Sequence, residues 1–207
     1  MKPQPLALGC VYHIFNRGTN RETLFHNEKD YEHFIWRYIR DIHPVAETYA
    51  YCLMKNHFHL AIRTRTEVEL AEFQARAQQA SGEPPVPFKL RSPSHQFGVL
   101  FSAYAKYFNN RYNRSGSLFE HPFDRKPVTT DAYYRHLITY IHCNPQRHGF
   151  VSDFHDWPWS SYGALISSGP TRLPRDVILE WFGGRETFAQ MHEQGLDKSL
   201  ALSLQLE

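Results

Sequence analysis

An α+β fold, an antiparallel sheet with helices packed on one face, is predicted from three observations. Short β-branched and aromatic runs alternate with long amphipathic stripes of helical spacing. Gly, Pro and Asn clusters separate them. The resulting order, β-α-β-β-α-β-α, matches in its first six elements the split βαβ, ferredoxin-like arrangement.

Each element has a local cause. Val11–Arg17 is a strand-like run ended by Gly18-Thr19-Asn20. Asn27 is placed to cap a helix whose apolar positions, Tyr31, Phe34, Ile35, Tyr38, Ile39 and Ile42, form one unbroken stripe, with Pro44 stopping it. Strands over about 47–53 and 57–63 flank Lys55-Asn56, read as a tight hairpin turn. Residues 81–94 are Pro-rich and read as a loop. A second helix follows with Phe97, Leu100, Phe101, Tyr104 and Phe108 on one face, ending at Asn113 to Gly116. Pro127 marks a brief strand near 123–128 as an edge strand. Thr130 caps a third helix over about 131–143, which Pro145 is expected to close. Residues 1–149 read as one domain, with 150–207 as a helical appendage packed on it.

Composition narrows the function. The 207 residues contain no apolar run near the ~18 needed to span a bilayer, and the first residues lack the apolar segment of an export signal. Three scattered cysteines without a Cys-x-x-Cys pair fit a reducing cytoplasm. The net charge of +2 divides into +6 over residues 1–149 and −4 over 150–207, so the body suits a polyanion without demanding one.

Two clusters carry possible chemistry. In the third strand His57 and His59 alternate with Phe58, Leu60 and Ile62. If the apolar set packs on the helices, both imidazoles leave the open sheet face, near enough to share a cation. Thirteen histidines in this length give about one such pair by chance, so ordinary hydrogen-bonded histidines remain an open reading. On the third helix, Tyr140 and Asn144 are neighbours one turn apart at the margin of the buried stripe. They suit a nucleophile and a metal ligand, or a tyrosine at the core edge and an asparagine capping the helix. Between them, Lys106, Arg111, Arg114, Arg125 and Lys126 are interleaved with aromatic residues, a combination that suits single strands, although Tyr104 and Phe108 belong to the core stripe.

Four stretches together, Tyr12–Gly18, Met54–Leu60, Asn110–Phe119 and Tyr140–Gly149, resemble the single-tyrosine HUH transposases, in particular their REP-associated tyrosine transposase branch. Trp159-Ser-Ser-Tyr162 looks like that family's closing motif. Lys55 departs from the usual proline before Asn56-His57. The resemblance implies that His57 and His59 are metal ligands, that Asn144 takes the third ligand position and that Tyr140 is the nucleophile. The implied cofactor is Mg²⁺ or Mn²⁺. The implied partner is single-stranded DNA bearing hairpins, gripped by Arg17, Arg63, Lys106, Arg111, Arg114, Arg125 and Lys126. Cleavage through a 5′-phosphotyrosine, followed by strand transfer, is the implied reaction, in the cytoplasm at the nucleoid. Related insertion-sequence enzymes exchange the tyrosine helix between subunits, so a homodimer is one expectation and a monomer the other. Two further readings stand beside it: a non-catalytic, domesticated single-strand binder on the same fold, and a phosphodiesterase that uses water. No group is assigned to deprotonate Tyr140, since His142, two residues along the helix, points elsewhere.

Overall fold

The computed structural model describes residues 4–81 and 91–195. The first six predicted elements are present: β1 (Val11–Arg17), α1 (Glu28–Asp41), β2 (Ala46–Met54), β3 (His57–Thr64), α3 (Pro93–Arg111) and β4 (Asp124–Pro127). The sheet is antiparallel throughout, in the order β2-β3-β1-β4, which is the split βαβ topology. β4 lies at an edge, where Pro127 loses no ladder hydrogen bond that a central strand would need.

One helix was not anticipated. α2 (Glu67–Ser81) fills the interval before the Pro-rich tract, to which the sequence reading assigned no element. Its start is a reciprocal cap: the Thr66 N–H donates to Glu69 Oε2 at 2.7 Å, and the Glu69 N–H donates to Thr66 Oγ1 at 3.3 Å. Only Leu70 of this helix is buried, so it carries no apolar stripe by which to be found. Of the expected 81–94 loop, Ser81 belongs to α2 and Pro93 opens α3; residues 82–90 lie outside the described residues.

The sheet is covered on both faces. Ile14, Phe58, Leu60 and Ile62 meet Phe34 and Tyr38 of α1 and Phe97, Leu100, Phe101 and Tyr104 of α3. Asp30 fastens these two helices, accepting from the backbone N–H groups of His26 and Asn27 and from the hydroxyls of Tyr107 and Tyr112. The other face, expected to be open, instead receives α4 (Asp131–Arg147), whose Leu137, Ile138 and Ile141 pack with Cys52, Met54 and Ala61. A stripe of that width must bury itself somewhere, and the vacant sheet face is the nearest apolar surface. β3 accordingly reads as a nearly continuous buried run rather than an alternating one.

α4 also runs past Pro145, contrary to expectation. Proline removes one N–H from the helix, but the turn beyond it closes on the last carbonyls. The Gly149 N–H bonds to Gln146 O at 3.0 Å and the Phe150 N–H to Pro145 O at 2.9 Å. Gly149, at φ +70°, occupies the left-handed position that this closure requires. Asn144 is therefore not the cap; it lies inside the helix and is fully buried.

Three short helices follow: α5 (Tyr162–Ile166), α6 (Arg175–Trp181) and α7 (Arg185–Gln194). The chain before α5 shields the outer edge of β2: the Leu53 N–H donates to Trp159 O and the Ser161 N–H to Tyr51 O, both at 2.9 Å. Phe154, Tyr162, Leu165, Ile178, Phe182 and Phe188 share a core with α4. Among the described residues no helix is long and apolar enough to cross a membrane.

Candidate active site

Strand register brings the first residues together. On the face of β3 that looks toward α4, His57 and His59 lie beside Arg17 and Phe15 of β1, their respective cross-strand partners. α4 crosses above them, and the Tyr140 ring lies 5.4 Å from the His59 ring and 6.1 Å from that of His13. His57, His59, Tyr140 and Asn144 all line one cavity of about 520 Å³. The sequence reading had two clusters; the fold makes them one. The tyrosine reaches the histidines of its own chain.

The hydrogen bonds of these groups are incomplete. His57 Nδ1 is held at 2.7 Å by Asn56 Oδ1. An amide oxygen only accepts, so the proton sits on Nδ1 and Nε2 presents its lone pair. His57 Nε2 is buried without a partner, and so are both side-chain polar atoms of Asn144. His59 Nδ1 lies 2.9 Å from His13 Nε2. Burial lowers His57 to about 3, helped by His148 and Arg17, and lowers His13 to about 3, helped by Lys126. Burial also holds His59 well below its ordinary value, with His13 beside it. All three imidazoles are therefore neutral at pH 7.

Such a set fits a divalent cation. Unpartnered buried acceptors cost stability unless a ligand satisfies them, and neutral imidazole with an amide oxygen is a chemically suitable donor set. Among the described residues no three His, Cys, Asp or Glu side chains are grouped to hold a metal; the Asn144 carboxamide lines the same cavity as His57 and His59. A neutral shell of this kind binds Mg²⁺ weakly until a phosphate adds its charge.

The predicted cations divide. Arg17 and Lys126 line the cavity. Arg63 leaves the same sheet face at the far end of β3, where Glu47 and Glu69 hold it at 2.9 and 2.6 Å. Arg114 grips Glu22 through two nitrogens, and Arg111 lies 3.5 Å from Asp30. Arg125 stacks over Phe123 at 3.8 Å and donates to Gln4 O. Lys106 lies along a separate shallow groove on α3. The last five are thus not gathered at the site, and for Arg63, Arg111 and Arg114 a carboxylate already answers the charge.

Other residues enter unannounced: His13, Asn16, Arg147 and His148 line the cavity. The Arg147 guanidinium lies 5.4 Å from the Tyr140 ring centre, and the His148 ring 4.9 Å from that of His57. His13 could have been found from the alternation of β1 once β1 was paired with β3. Arg147 and His148 become visible only when α4 continues through Pro145.

His142 points away, as expected. Its Nδ1 meets His192 Nε2 at 2.8 Å and its Nε2 meets Ser161 Oγ at 2.7 Å, tying α4 to α7 and to the segment on the edge of β2.

The fold and this cluster define an α+β protein with a tyrosine helix laid over a His-x-His strand, and the fold is met among known structures. A solved REP-associated tyrosine transposase bound to a REP hairpin shares the fold, with a TM-score of 0.59 at 17% identity, covering 82% of this chain and 86% of that one. In sequence, the chain is similar to a Haemophilus influenzae protein named as a REP-associated tyrosine transposase: 24% identical over 123 residues, 58% of this chain. The match spans 61% of that relative's length. No protein-family profile matches the chain. Both similarities fall on the family that the sequence motifs resemble.

Proposed function

We propose that this chain is a REP-associated tyrosine transposase that cleaves and rejoins single-stranded DNA bearing hairpins, with Tyr140 as its nucleophile. The observation that carries this reading is the convergence of Tyr140, His57, His59 and Asn144 in one cavity, with His57 Nε2 and the Asn144 amide left without partners.

Tyr140 attacks phosphorus in line. The P–O3′ bond breaks as the phenolic O–P bond forms, leaving the 5′ phosphate on the tyrosine and a 3′-hydroxyl that takes up a proton. The phosphodiester count is unchanged, so attack by another 3′-hydroxyl reverses the step and joins strands without ATP. Arg147, over the ring, restrains its plane, while Arg17 and Lys126 border the path of the phosphates. His57, His59 and Asn144 would hold Mg²⁺ or Mn²⁺, which when bound supplies Lewis-acid polarisation of the scissile phosphate. Asn56 keeps His57 in the tautomer that this role needs.

The test is a labelled hairpin oligonucleotide from the gene's own flanks, run on denaturing gels with and without Mn²⁺. A covalent adduct that needs the ion and is absent in Tyr140→Phe supports the proposal. Hairpin binding with no adduct under any ion would leave a binding protein without chemistry. Turnover without a trapped intermediate would indicate a water-using phosphodiesterase.

A further inference from the structure

Resting on the metal-site reading above, we infer that His13 is a positioning residue: it fixes the tautomer of His59 and so presents His59 Nε2 to the cation. His13 is 1% exposed, faces Ala61 across the β1–β3 pair, and leans one diagonal step to reach His59. Its Nε2 lies 2.9 Å from His59 Nδ1, and the two rings stack at 5.1 Å. With Nδ1 occupied by this contact, only Nε2 of His59 remains to meet a ligand. A neutral imidazole that offers a lone pair at Nε2 carries its proton on Nδ1. His59 therefore donates and His13 Nε2 accepts, which leaves the His13 proton on Nδ1. That atom is buried and without a hydrogen-bond partner. Burying such a donor costs stability, and a purely structural histidine pair has no reason to accept the cost. The opposite assignment, with His13 donating, would place a proton on His59 Nε2 and close the site. His57 is treated in parallel, since Asn56 performs for it the task that His13 performs for His59.

The experiment is a Co²⁺ titration of the tag-free, full-length protein followed by visible absorption, with no DNA present. Imidazole sites hold Co²⁺ more tightly than Mn²⁺, which makes the affinity measurable. His13→Leu removes the acceptor, whereas His13→Gln keeps an amide oxygen in reach of His59 Nδ1. Thermal unfolding of each variant establishes that it is folded. The expected result is a loss of about 10–100-fold in affinity for His13→Leu and recovery to within about threefold for His13→Gln. Should His13→Leu not fold, His13→Asn replaces it, because the shorter amide falls short of His59. Unchanged affinity in the acceptor-less variant overturns the inference. So does a loss in both variants as complete as that of His59→Ala, which would make His13 a ligand itself. Wild-type protein whose Co²⁺ binding is indifferent to His57→Ala and His59→Ala would remove the metal site beneath it, a distinguishable failure.

Discussion

Two buried histidine clusters flank α4, and they differ in one respect. In the pair formed by His142 and His192 every ring nitrogen has a partner: His142 meets His192 and Ser161, and His192 Nδ1 meets Phe188 O at 2.7 Å. In the cluster under Tyr140, His57 Nε2, His13 Nδ1 and both polar atoms of Asn144 have none. Residue type and burial are alike in the two places. Between these two clusters it is hydrogen-bond satisfaction that differs, and each unpartnered buried polar group costs about 1–3 kcal/mol that packing elsewhere has to offset.

Substitutions should therefore act oppositely in the two clusters. The largest effect belongs to Tyr140→Phe, which is expected to reduce cleavage by at least about a thousandfold while leaving the unfolding midpoint nearly unchanged. His192→Ala should do the reverse. It orphans His142 and opens a cavity beside Phe188, destabilising by about 2–4 kcal/mol in urea unfolding. Asn144→Leu, by removing two unpartnered polar atoms, should raise stability by about 1 kcal/mol and abolish cleavage. A fall in stability there would mean that Asn144 is structurally satisfied after all.

Acid should act on both clusters in the same direction. Burial holds His192 neutral down to about 4, whereas an unfolded chain protonates histidine near ~6.5. The unfolded state thus gains its proton first as pH falls. The stability due to His192 is complete above ~6.5, declines from there to about pH 4, and is flat below. His13 and His57, both lowered to about 3, extend the decline. Urea midpoints at pH 7 and pH 4.5 should differ less in His192→Gln than in wild type. The smallest effect is expected at Arg63: Arg63→Gln should leave hairpin affinity within about twofold, because Glu47 and Glu69 already engage the side chain, whereas Arg147→Gln, at the cavity rim, should weaken it several-fold more.

Much of this arrangement was legible in the sequence. The alternation of β3 placed His57 and His59 on one face, and helical spacing placed Tyr140 and Asn144 together. What escaped was nonlocal. Nothing near Arg114 shows that Glu22, 92 residues earlier, will claim it. Nor does the stripe of α4 reveal which face of the sheet it will cover, although that choice joins the two clusters. Pro145 misled because a proline near a helix end is ordinarily a stop, and here the closure at Gly149 absorbs it. The Thr66-x-x-Glu69 cap of α2 was readable but unsupported by any apolar period.

The decisive measurement identifies the atom that bonds to DNA. Protein incubated with a flanking hairpin strand and Mn²⁺ should yield, after proteolysis and mass spectrometry, the peptide containing Tyr140 enlarged by a 5′-phosphorylated nucleotide. Cleaved strand with that peptide unmodified, or a Tyr140→Phe variant cutting at the wild-type rate, would contradict it.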